Sequence, residues 1–134
     1  MRYFTTEELT RSETALKKGI DNTPSEAVKA NLMALVDNVL DPIRERWGGP
    51  IKVNSGYRCK VLNTAVGGSP KSQHMTGQAA DITVSSKVAN KNLFLMLKES
   101  GLPFDQLIDE YDYQWIHVSY RADGTNRGMV RHLS

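Results

Sequence analysis

In the stretch SQHMTGQAADITV, residues 72–84, His74 and Asp81 stand seven positions apart with Gly77 between them, and a second histidine, His117, follows in WIHVSY. An imidazole and a carboxylate at the lip of an apolar run are costly to bury without partners, so their types ask for one. Two histidines and one carboxylate make three protein ligands for a catalytic zinc, with the fourth position left to water. Zinc brings the pKa of such a water to about 7, and the reaction class implied is metal-assisted hydrolysis. Each residue also has a plainer use: a histidine satisfied locally or by solvent, and Asp81 capping a turn. Spacing alone leaves both open, and His132, in the polar tail, takes the plainer one.

Three elements must bring these side chains together. If AADITV is a strand, Ala80, Ile82 and Val84 point to one face and Ala79, Asp81 and Thr83 to the other. In WIHVSY the same alternation sets Ile116, Val118 and Tyr120 against Trp115, His117 and Ser119. Both strands therefore offer a ligand on the less apolar face, while Gly77 permits the tight reversal that returns His74 toward Asp81.

The rest of the chain supplies a scaffold. Phe4, Thr5, Glu8 and Leu9 form the pattern of a capping box with a hydrophobic staple, predicting one short first helix. Thr23 or Ser25 caps the next. Val28, Leu32, Leu35, Val36, Val39, Leu40, Ile43 and Trp47 recur at helical spacing, with Pro42 expected to kink that helix near Asn38 or to begin a tighter last turn. Ile51 and Val53 mark a short strand, CKVLNTAV a turn or two of helix, and SSKVANKNLFLMLKES a capped helix burying Val88, Phe94, Leu95 and Leu97 in part. QLIDEY and WIHVSY read as a hairpin joined by DYQ, and Met129 and Val130 as a last strand. Helices precede most strands, so the fold class is α+β: an antiparallel or mixed sheet packed by helices.

With 134 residues the chain suits one domain over residues 1–134. A net charge of +2, spread without a basic run, gives no footprint for nucleic acid. Cys59 is the only cysteine, so an intramolecular disulfide and a multi-cysteine zinc site are excluded. No apolar run is long enough to span a bilayer, and the N-terminal residues lack the apolar core of a signal peptide, so no membrane partner is expected. Oligomeric state is not legible.

The pattern Ser72, His74, Gly77, Ala79 and Asp81, followed by WIHVS, resembles the zinc D-alanyl-D-alanine carboxypeptidases. Their relatives include the vancomycin-resistance D,D-dipeptidases, phage endolysin peptidases and, in fold, the hedgehog signalling domain. The likeness runs from about Phe4 to Tyr120. It implies one Zn2+ held by His74, Asp81 and His117, and hydrolysis of peptide bonds in peptidoglycan stem peptides. It also implies that Arg58, in SGYR, holds a substrate carboxylate, a task suited to a planar guanidinium; a structural ion pair is the other use open to it. Ser72 and Trp115 complete the expected substrate side.

One position departs from the family. Many relatives carry an acid three residues before the last histidine as general base, and here that residue is Gln114, which cannot take a proton. Glu110 is the expected replacement, because hedgehog-type and compact relatives can carry a glutamate slightly farther upstream; Asp112 and Asp109 are the fallbacks. Asp109 and Glu110 alternate, so only one of that pair can face the site. Gln114 also keeps open a binding module of the same fold that recognises a cell-wall peptide or a protein without cutting it. The expected setting is synthesis in the cytoplasm without an export signal, and action on the wall after release or delivery, as with phage or prophage proteins.

Overall fold

The apolar spacing from Val28 onward builds the central helix of the computed structural model, which describes residues 1–133. It runs as α3 (Glu26–Leu35), a π-turn (Val36–Leu40) and α4 (Asp41–Trp47), with Ser25 capping its start. Pro42 can give no N–H to the carbonyl one turn back, and its ring crowds that carbonyl. The helix responds by widening, since the Asp41 N–H reaches back five residues to the Val36 carbonyl. The expected tighter turn is thus a wider one, and it keeps Val36, Val39, Leu40 and Ile43 fully buried.

Two short helices precede it, where the sequence predicts one. In α1 (Thr6–Thr10) the Thr5 side chain accepts the Glu8 N–H; α2 (Glu13–Lys18) starts at a Ser12 cap and stops at Gly19, where φ is 64°. Phe4 and Leu9 are buried in the core as the staple requires. Downstream, α5 spans Lys60–Ala65 and α6 spans Lys87–Glu99. The buried stripe of α6 is Asn90, Leu93, Phe94 and Leu97. Val88 and Leu95 face solvent instead, a correction that follows from helical geometry: neither falls on the face shared by Leu93, Phe94 and Leu97.

Five strands, β1 (Lys52–Ser55), β2 (Ala79–Thr83), β3 (Gln106–Glu110), β4 (Trp115–Ser119) and β5 (Met129–Leu133), form one sheet in the order β1-β2-β4-β3-β5. Its first three pairings are antiparallel, and β3 with β5 is parallel, so the fold is α+β with a mixed sheet. One apolar cluster unites Leu32, Leu35 and Ile43 with Ile82, Leu93 and Val118, joining the central helix, α6 and one face of the sheet. Among the described residues no helix is long and apolar enough to cross a membrane.

The β3–β4 connection is less ordinary than a short hairpin loop. Tyr111, Asp112 and Tyr113 all adopt positive φ, at 53°, 56° and 63°, each costing roughly 1–2 kcal/mol for an L-residue. Tertiary bonds hold them there: the Tyr111 N–H donates to the Leu133 carbonyl at 2.8 Å, and buried Asn90 donates to the carbonyls of Tyr113 and Gln114. Strain of this kind persists only where the surroundings over-determine it, and here it fixes the point at which the chain leaves Glu110.

Candidate functional site

His74 rides on a single 3-10 turn, Gln73–Thr76. Ser72 caps it, its Oγ accepting the His74 N–H at 3.2 Å. Gly77 ends it at φ 74°, and a side chain there would also meet the Val28 carbonyl at 2.8 Å, so position and conformation both demand glycine. The imidazole is almost fully buried. Its Nδ1–H donates to the Gly56 carbonyl at 2.7 Å; a carbonyl can only accept, so this contact sets the tautomer and leaves the Nε2 lone pair for the site. Gly56 is itself pinned, because a Cβ on it would lie 2.2 Å from the Leu9 carbonyl of α1. The next two residues continue the clamp, Tyr57 N–H to Leu9 at 2.7 Å and Arg58 N–H to the His74 carbonyl at 3.0 Å.

Asp81 and His117 are direct cross-strand partners on β2 and β4, which places their side chains on one face. Asp81 Oδ1 lies 3.0 Å from His117 Nδ1 and 3.3 Å from His74 Nε2. Burial works against the Asp81 carboxylate, but its contacts with His117 and His74 outweigh it and hold the carboxyl well below the usual carboxylate range. One potential ligand atom from each residue lies within 4.8 Å of the others. Two imidazole nitrogens and one ionised carboxylate, all on well-anchored backbone, suit zinc in chemistry and number.

The three acids proposed as base fall in three different places. Glu110 pairs with Trp115 across β3 and β4, so it shares the face of His117 and Asp81, and its carboxylate accepts the Trp115 indole N–H at 2.9 Å. Asp109 pairs with Ile116 on the opposite, core-facing side and is hydrogen-bonded to His132. Asp112 is exposed on the hairpin turn, 2.7 Å from Lys87. The register thus sets Glu110, and neither fallback, on the sheet face of Asp81 and His117; His132, which the sequence leaves to a plain role, is the partner of buried Asp109. Gln114 is exposed at the end of the turn.

Arg58 is half-buried, and burial depresses its pKa while the charges of Asp81 and Glu110 act to raise it. The guanidinium therefore lies within the field of both acids, yet it has an ion pair with neither among the described residues, and its Nε is buried without a hydrogen-bond partner. Among the described residues a structural ion pair, the other use open to it, is not formed.

Sequence reasoning missed Asp105. It is fully buried, bound by Arg127 through Nε and a terminal nitrogen at 2.9 Å each and by Gln73 Nε2 at 3.0 Å. Gln73 precedes His74, and the Asp105 N–H bonds the Ser119 carbonyl on β4, so this carboxylate ties together the two segments that carry the histidines. Nothing local announces it, since its partners lie 22 and 32 positions away. Hydrogen bonds from Arg127 lead in holding its carboxyl at about 2, against the 3.8 of a free aspartate. A depressed carboxylate contributes stability that is complete above its unfolded pKa and fades as pH falls through the folded one. Asp105→Asn is expected to cost about 2 kcal/mol at pH 7, with the gap to the parent protein closing between about pH 4 and pH 2. Urea melts of both proteins across that range check it; a gap that does not change with pH would contradict it.

The family described as Peptidase M15 matches residues 2–119 of the chain, which takes in α1 through β4 and stops short of Arg127 and of β5 with His132. This agrees with the family that the His74–Asp81 motif resembles. No curated protein sequence matches the chain.

Proposed function

Since the chain belongs to the peptidase M15 family, a family of metallopeptidases, we propose that it is a zinc-dependent enzyme hydrolysing peptide bonds in peptidoglycan stem peptides, as a D-alanyl-D-alanine carboxypeptidase or an endolysin-type endopeptidase. The observation that carries this reading is the convergence of His74, Asp81 and His117 on the sheet face that also presents Glu110.

In this mechanism His74, Asp81 and His117 hold one Zn2+. When bound, that ion supplies Lewis acidity, acidifying water and polarising the scissile carbonyl. Glu110 accepts a proton from the attacking water and delivers it to the leaving nitrogen. A carbon–oxygen bond forms, the carbon–nitrogen bond breaks, and the products are a carboxylate and an amine. The Trp115 indole holds the Glu110 carboxylate in place, while its ring lines the substrate side of the same face. Arg58, with an unpaired Nε, anchors a substrate carboxylate. Ser72, whose Oγ already accepts the His74 N–H, keeps its O–H to donate to substrate.

Gln114 favours one alternative, a zinc-containing module of this fold that binds wall peptides or a protein partner without turnover. To separate them, zinc-loaded protein is incubated with muropeptides covering linear and cross-linked stems, and products are read by mass spectrometry. Released D-alanine or opened cross-links support the peptidase. Every stem left intact by fully metallated protein supports the module.

A further inference from the structure

A groove of about 610 Å3 runs between α1, α2, α5 and β1; its wall holds none of the three ligand residues but includes Tyr57 and Arg58, and the Arg58 guanidinium lies in the field of Asp81. That volume is within the roughly 300–1,000 Å3 of sites that hold drug-sized ligands. It accommodates several residues of an extended peptide, far more than the terminal alanine that a carboxylate anchor alone would require. The groove wall carries charges of both signs, Glu8 and Glu13 with Arg11 and Lys52. Among the described residues none of these four takes part in an ion pair. Helix starts account for part of this, since Glu8 and Glu13 stand in the first turns of α1 and α2, where carboxylates are favoured. They do not account for the buried Arg58 Nε that has no partner, beside which Arg11 and Lys52 stand exposed in the same wall.

We infer that this groove is an extended peptide subsite for a substrate residue bearing both an ammonium and a carboxylate, as a diamino dicarboxylic acid in a stem peptide does. Glu8 and Glu13 meet the ammonium; Arg11, Lys52 and Arg58 meet the carboxylate. The inference rests on the peptidase reading and sharpens it, because the carboxylate gripped by Arg58 then belongs to a residue within the substrate rather than to its chain end, and longer peptides are preferred over a D-alanyl-D-alanine fragment.

Binding to the zinc-loaded Glu110→Gln protein, measured by calorimetry, tests this without turnover. The probes are acetyl-D-Ala-D-Ala and the pentapeptide L-Ala-γ-D-Glu-diaminopimelyl-D-Ala-D-Ala. The pentapeptide is expected to bind more tightly, and the ratio of the two affinities is expected to fall about tenfold in Glu8→Gln/Glu13→Gln and again in Arg11→Gln/Lys52→Gln. Equal affinities for the two probes, or a ratio that neither double variant moves, overturn the inference. An unmoved ratio together with zinc-dependent cleavage by the parent protein removes the groove and leaves the peptidase reading standing. A falling ratio with no cleavage of any stem by the parent keeps the groove and removes the peptidase.

Discussion

Glu110→Gln is expected to lower kcat/KM on stem peptides by about 10²–10⁴-fold, the usual worth of a positioned general base, while zinc stays bound. The amide keeps the size of the side chain and can still meet the Trp115 indole N–H through its oxygen, so the loss isolates the proton transfer. The register supports this choice over its neighbours: Glu110 opposes Trp115 on the face of Asp81 and His117, whereas Asp109 opposes Ile116 on the core side. Asp112→Asn is accordingly expected to stay within about threefold of the parent, because its pair with Lys87 is exposed on the hairpin turn and screened by solvent. Steady-state kinetics with metal content measured on the same samples checks both. A collapse in Asp112→Asn beside a near-normal Glu110→Gln would reassign the base.

Stripping zinc is expected to abolish hydrolysis and to lower the melting temperature by roughly 10 °C. The three ligands come from a 3-10 turn and two strands, so the unfolded chain cannot assemble the site and the ion favours the folded state by mass action. Zinc at about 100 times its dissociation constant contributes about 2.7 kcal/mol, and a chain of this size shifts by roughly 4 °C per kcal/mol. Thermal melts with and without excess chelator, with metal loss confirmed by elemental analysis, read this directly. A melting curve that chelation leaves in place would contradict the assignment of His74, Asp81 and His117 as ligands.

The parts of the site visible in the sequence are those set by local rules. Strand alternation placed Asp81 and His117 on the less apolar faces, and the β2–β4 register then made them direct partners. Alternation also required Asp109 and Glu110 to part company, although only the β3–β4 pairing reveals which of them meets the site. What escaped notice depends on distant partners. The π-turn is a backbone answer to Pro42 that composition does not distinguish from a kink or a tight turn. Asp105 reads as an ordinary polar residue until Gln73 and Arg127 close around it, and Gly56 reads as a turn residue until α1 packs against it and its carbonyl orients His74. The two tyrosines at positive φ in the hairpin run against local preference, and only their tertiary hydrogen bonds explain them.

The groove and the base converge on one question, whether the sheet face that carries Asp81 and His117 cuts peptides. Adding zinc stepwise to metal-free protein while following muropeptide cleavage by mass spectrometry answers it most directly. Cleavage is expected to rise linearly with zinc and to level off at one equivalent per chain, with His117→Ala showing neither the rise nor the plateau. Protein that takes up its one equivalent and leaves every stem peptide uncut would contradict the account.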